Sequence, residues 1–151
     1  LASRDAIFLY PSLCFFEGTI MSVGRGTPYP FEVLGHPDMT SGTFSFTPRS
    51  IPGASLHPPF EGRECRGKDL RGVLRDNPAL RGKINLSWLI ETWRDMGHDT
   101  TFFNGYFNRL AGNATLKQQI IRGLTEDEIR ESWKPGLEAF TKIRGKYLLY
   151  K

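Results

Sequence analysis

The chain changes character near residue 84. Before that point it is rich in Gly, Pro, Ser and Thr; after it, apolar residues recur at helical spacing. A strand face and a helix stripe must each bury an apolar surface, and strands followed by helices meet that need as an α+β domain. The expectation is a small mixed sheet from the first half packed with helices from the second, as a single domain over residues 1–151. A chain of this length can bury about two-thirds of its unfolded surface.

Local patterns fill in that outline. Residues 7–16 are strongly apolar and broken by Pro11, which reads as an extended segment running into a buried strand. Thr43-Phe44-Ser45-Phe46-Thr47 alternates polar and aromatic side chains, as a half-buried strand does. Pro48, Pro52, Pro58 and Pro59 leave residues 48–62 as a long stiff loop, and residues 65–73 are a further candidate strand. In the second half, Leu86, Leu89, Ile90 and Trp93 form a helical stripe with Asn85 as N-cap and Gly97 as stop. Asn113 caps a short helix through Ile121, ended by Gly123, and Thr125 with Glu128 has capping-box spacing. Pro135 suits the first turn of one more helix to about Arg144, with Leu137, Phe140 and Ile143 on its buried side. Residues 146–150 are an apolar tail that adds a strand or docks on the core.

The bulk chemistry narrows the function classes. The net charge is +4, and the basic residues are scattered apart from an excess between Arg63 and Lys83. No nucleic-acid reading motif accompanies that excess, so no nucleic-acid partner is expected. No run approaches the roughly 20 apolar residues of a membrane span. The start, Leu1-Ala2-Ser3-Arg4-Asp5, lacks the basic region and apolar core of a secretory signal and has no initiator Met, leaving a fragment or processed product open. Cys14 and Cys65 make neither a disulfide scaffold nor a metal site; one bridge and two small buried apolar residues are both open. His36, His57 and His98 lie far apart without ligand spacing, so no metal and no cofactor is expected.

The chemistry-bearing stretch is residues 15–32. An apolar segment delivers the Glu17 carboxylate to a loop where Gly18, Gly24 and Gly26 let a ligand approach the backbone. Thr19, Ser22 and Thr27 supply hydroxyls, and Arg25 presents a planar fork of donors suited to a carboxylate. Phe31 adds an aromatic wall and Glu32 a second carboxylate, while His36 is a minor acid/base candidate. Acid, hydroxyls, guanidinium and aromatic faces together suit a sugar. The competing reading is a structural Glu17–Arg25 ion pair holding a glycine-rich turn. An acid/base pair of Glu17 and Glu32 is also open, since glycosidases generally use two carboxyls. The aromatic run of residues 102–107, with Trp88, Trp93 and Trp133, reads as core before it reads as a sugar platform.

Longer stretches of the sequence are similar to a known family. Phe16-Glu17-Gly18-Thr19, Ser22-Val23-Gly24-Arg25-Gly26-Thr27, Pro30-Phe31-Glu32 and Gly35-His36-Pro37 resemble the exo-β-N-acetylmuramidase family, formerly a domain of unknown function. So do Phe44-Ser45-Phe46-Thr47-Pro48, Ile84-Asn85-Leu86-Ser87-Trp88, Ile129-Arg130-Glu131-Ser132-Trp133 and Lys146-Tyr147-Leu148-Leu149-Tyr150, in the same order along nearly the whole chain. The resemblance is to the carboxy-terminal domain only. It implies a partner, an amino-terminal Rossmann-like domain carrying the principal catalytic carboxylate, with the cleft between the two parts. It further implies a peptidoglycan-recycling glycoside hydrolase that releases N-acetylmuramic acid from non-reducing ends of peptidoglycan fragments, and an exported or periplasmic protein. Under it Glu17 is the catalytic candidate, with Thr19, Ser22, Arg25, Thr27, Phe31, Glu32 and His36 as substrate-binding candidates. A guanidinium at Arg25 would select the acidic lactyl group of muramic acid. The alternative is a non-catalytic glycan- or muropeptide-binding domain, or a structural one.

Overall fold

The structure is a computed structural model that describes residues 1–150. Its elements run α1 (Arg4–Leu13), a 3-10 turn (Cys14–Gly18), β1 (Val33–His36), β2 (Phe44–Phe46), β3 (Cys65–Asp69), α2 (Val73–Asp76), a 3-10 turn (Pro78–Gly82), α3 (Ser87–Asp95), a 3-10 turn (Thr100–Phe102), α4 (Phe107–Ala111), α5 (Thr115–Ile121) and α6 (Glu126–Arg144). This is the expected α+β architecture. Its sheet has the order β1-β3-β2 and is antiparallel in both pairings rather than mixed.

The first correction concerns residues 7–16, where the sequence suggested a strand. They belong to α1 and the turn after it. The Ser3 side chain accepts from the Ala6 amide at 2.9 Å, so the helix is capped, and Asp5 sits in its first turn. Ala6, Leu9 and Leu13 are buried at helical steps. Pro11 is tolerated because it removes a single hydrogen bond near the C-terminal end, on the exposed side of the helix. Ser12 then ties this helix to the second half, accepting from the Asn85 amide at 2.8 Å.

The sheet is small and tight. Gly35 and Gly67 face each other in the β1–β3 register. A Cβ on Gly67 would lie 2.0 Å from the Leu34 carbonyl oxygen and 2.7 Å from the Gly35 Cα, so only glycine lets these strands approach. The third expected strand is shorter than residues 65–73, ending at Asp69 before α2 begins at Val73. Residues 48–62 hold no helix or strand, as the four prolines required.

The main core joins α1 and its following turn to α3, α4, α5 and the start of α6 through Leu9, Phe16, Leu86, Leu89, Phe102, Phe107, Ile120 and Ile129. A smaller cluster of Val33, Phe46 and Cys65 lies against the sheet. The aromatic run is core, as read from the sequence, apart from exposed Tyr106. The Thr125 cap is where the sequence put it, while the N-cap positions of α3 and α5 are Leu86 and Ala114, one residue after Asn85 and Asn113, whose side chains still satisfy the first amides. Asn85 accepts from the Trp88 amide, Asn113 from the Thr115 and Leu116 amides, and Thr125 with Glu128 forms a complete capping box.

The C-terminal end needs three corrections. Pro135 does not begin a helix; it lies inside α6, which runs unbroken from Glu126 to Arg144. Leu137, Phe140 and Ile143 are exposed, not buried, because α6 leaves the core after Trp133. Residues 146–150 neither add a strand nor dock; Tyr147, Leu149 and Tyr150 are exposed. Among the described residues no helix is long and apolar enough to cross a membrane. Cys14 and Cys65 are both free thiols.

Candidate functional site

The loop of residues 19–32 is held at both ends by backbone pairing. Ser22 and Gly35 exchange two hydrogen bonds, 2.8 and 3.0 Å, which fastens the loop to the edge of β1. The Ile20 amide donates to the Phe102 carbonyl at 3.0 Å, which fastens it to the aromatic core. Between these ties the chain turns sharply. Gly26 has φ 82°, and a Cβ there would meet Pro58 and the Arg49 carbonyl oxygen at 2.5 and 2.7 Å. Phe31 also has a positive φ, 63°, held by its amide donating to the Val23 carbonyl at 2.7 Å. A bulky residue in the left-handed region costs about 1–3 kcal/mol and persists only where its surroundings fix it.

These constraints aim two charged side chains at one recess. An Arg25 guanidinium nitrogen donates to a Glu17 carboxylate oxygen at 2.7 Å, with the side chains 42% and 26% exposed. The guanidinium also lies over the Phe31 ring, 5.0 Å from its centroid. The recess holds about 300 Å³ and is lined by Glu17, Thr19, Arg25 and Asn104 with Ile20, Met21, Val23 and Pro59. Four polar and four apolar residues together can bind a ring that has both hydroxyls and C–H faces.

Of the residues singled out from sequence, Glu17, Thr19 and Arg25 meet in this recess. The others serve its frame. The Ser22 hydroxyl is buried and accepts from the Gly24 amide; the Thr27 hydroxyl donates to the Gly24 carbonyl and accepts from the Tyr29 amide. Phe31 is buried, edge-on to Tyr10, so one ring supports Arg25 from beneath. Glu32 is buried and does not line the recess, and its carbonyl accepts from the Leu70 amide. His36 is buried against Phe60, its Nδ1 accepting from the Asp38 amide at 3.0 Å. Burial holds the His36 pKa below the ordinary histidine value, against the pull of Asp38 in the other direction. Burial also pushes the Cys14 thiol up, and nearby Glu17 adds to that.

Asn104 is the residue that sequence reasoning missed. Its side-chain amide donates to the Glu17 and Thr19 carbonyls, each at 3.3 Å, while its own carbonyl oxygen accepts from the Tyr106 amide. It therefore fixes the backbone on both sides of Gly18. The available signal was Asn104-Gly105, a turn dipeptide inside an otherwise apolar run, where a polar side chain needs a partner. Among the described residues no group of three or more His, Cys, Asp and Glu side chains is placed to hold a metal ion.

Comparison with known proteins points the same way as the resemblance. The pattern of the family described as exo-β-N-acetylmuramidase NamZ, C-terminal, matches residues 8–150. The peptidoglycan β-N-acetylmuramidase NamZ of Bacillus subtilis (strain 168) is 35% identical over 97% of this chain and 38% of its own length. A crystal structure of a DUF1343 family protein from Bacteroides fragilis NCTC 9343 superimposes with a TM-score of 0.91 at 43% identity, covering 99% of this chain and 42% of that one. The chain thus spans about two-fifths of the length of these relatives.

Proposed function

This chain belongs to the exo-β-N-acetylmuramidase NamZ C-terminal family, and we propose that its Glu17–Arg25 recess is one wall of a cleft for the N-acetylmuramic acid end of peptidoglycan fragments. The observation that carries this reading is the partly exposed guanidinium at the recess. A guanidinium has five N–H donors, and the Glu17 contact engages one of its nitrogens. The remaining donors suit the lactyl carboxylate that distinguishes muramic acid from N-acetylglucosamine. Charge-assisted hydrogen bonds of that kind are worth about 1.5–3 kcal/mol. Apolar Ile20, Met21, Val23 and Pro59 offer a surface for the sugar ring.

The wall carries one carboxylate, Glu17, and hydrolysis of a glycoside generally uses two. In this reading the second comes from the amino-terminal, Rossmann-like part of the longer protein, which carries the principal catalytic group. Glu17 then acts from the opposite wall, held at a fixed angle by Arg25 and Asn104. The complete protein is a glycoside hydrolase releasing N-acetylmuramic acid from non-reducing ends, in peptidoglycan recycling, and is exported or periplasmic where its polymer lies. The test is turnover of a chromogenic muramic acid glycoside by the full-length protein. Glu17→Gln and Arg25→Ala are expected to depress kcat/KM; turnover that survives both changes removes the recess from the reaction. A second reading, a wall that binds glycan without taking part in hydrolysis, is favoured by that single carboxylate. It predicts that Glu17→Gln leaves both muramic acid affinity by calorimetry and kcat unchanged.

A further inference from the structure

Helix α6 begins in the core and ends outside it. Ile129 is fully buried and Trp133 packs against the core cluster. One turn later Leu137 is 56% exposed, and Phe140 and Ile143 follow at 59% and 57%. At about 100° per residue, Trp133, Leu137, Phe140 and Ile143 fall within one arc of about 120°, with Glu131, Glu138 and Lys142 opposite. This is one amphipathic face whose first half is covered and whose second half is more than half exposed.

That second half has little else to hold it. Pro135 and Gly136 lie in it, and both lower intrinsic helix stability. Helices in proteins are stabilised mainly by burying an apolar face rather than by propensity. The stripe is then extended by Tyr147, Leu149 and Tyr150, 78%, 90% and 88% exposed. Exposed apolar side chains in this number on a folded chain mark an interaction site.

The relatives carry about three-fifths of their length outside the part this chain matches, and the matched family is the C-terminal one. We infer that the face formed by Leu137, Phe140, Ile143 and the 147–150 tail is the seam on which the amino-terminal part of the longer chain docks. Arg144 falls within that arc and Lys146 precedes the tail, so the opposing patch is apolar with an acidic rim. The same charges disfavour a second copy, because a two-fold contact sets a patch against itself and brings like charges together. This rests on the two-part reading above, yet it concerns how the parts are held and not their chemistry.

The test is hydrogen exchange by mass spectrometry on the full-length protein, wild type against Leu137→Asp/Phe140→Asp. Wild-type amides of residues 134–144 are expected to be protected like those of α3, with exchange at least about tenfold faster in the variant. Amides of α3 serve as the internal fold control, and Phe140→Ala alone provides a milder variant if they change. Wild-type exchange at residues 134–144 as fast as at an uncovered helix end overturns the inference. So does protection that rises with protein concentration, which assigns the face to a second copy, and so does a reading frame with no preceding part. Because exchange is read and not turnover, the seam and the muramic acid recess stand or fall separately.

Discussion

Replacing Arg25 with alanine separates the two roles open to that side chain. As a structural partner it contributes little, because both members of the pair are partly exposed and water screens them. Exposed ion pairs are worth about 0.2–1 kcal/mol, and a cation over an aromatic ring at an exposed site adds about 0.5–1 kcal/mol. Arg25→Ala should therefore cost no more than about 2 kcal/mol of stability, roughly 2–4 °C in Tm for each kcal/mol at this chain length. As a ligand for the lactyl carboxylate it contributes about 1.5–3 kcal/mol, which corresponds to roughly a 10- to 150-fold loss in kcat/KM. The assay is kcat/KM of the full-length protein on two chromogenic glycosides, one of muramic acid and one of N-acetylglucosamine, beside a thermal melt. The muramic acid substrate should lose its advantage while the weaker turnover of the other stays within a few-fold. Arg25→Lys, which keeps the charge without the planar fork, should fall between. Equal losses on both glycosides, or a loss that merely follows Tm, refute the assignment and leave Arg25 as a brace for Glu17.

Further outcomes follow from the frame around the recess. Gly67→Ala, which drives a Cβ into the Leu34–Gly35 backbone of β1, should cost about 3 kcal/mol or more in urea unfolding, whereas Gly82→Ala, with open space around it, should be near neutral; similar midpoints would contradict the strand approach. Thr125→Ala removes the N-cap of α6 and should cost about 1 kcal/mol in the same assay, with no change meaning that the helix start is held by packing alone. Burial pushes the Cys65 thiol up to about 11, so at pH 8 Ellman's reagent should label Cys65 only on unfolding and Cys14 earlier; two fast thiols in the native protein would rule out this packing. His36 is held below its ordinary pKa by burial, so the folded state binds fewer protons than the unfolded one as pH falls through about 6.5. Stability should then be full above that value and decline below it, and His36→Asn, which keeps an acceptor for the Asp38 amide, should flatten the slope; an unchanged slope places the pH sensitivity elsewhere.

What the sequence determined by itself was whatever acts over a few residues. Asn85, Asn113 and the Thr125–Glu128 box cap helices because each side chain satisfies amides two or three positions away, so the signal and the structure are the same local fact. The four prolines excluded helix from residues 48–62 for an equally local reason. The Glu17–Arg25 contact was legible as one alternative, since the partners are eight positions apart with two glycines between them. Proline inside a helix was the limit of this reasoning. Pro11 and Pro135 each remove one backbone donor, and whether a helix absorbs that loss depends on its exposure and on the packing of its other residues. Only the tertiary structure decided which side chains of the 15–32 stretch line the recess. Ser22, Thr27, Phe31 and Glu32 turn inward because Gly35, Val23 and Leu70 bond to the loop backbone, while Asn104 and Pro59 arrive from distant segments. It also decided that the stripe of α6 outruns the core. Periodicity records that a face is apolar, and what lies against that face is a property of the whole chain.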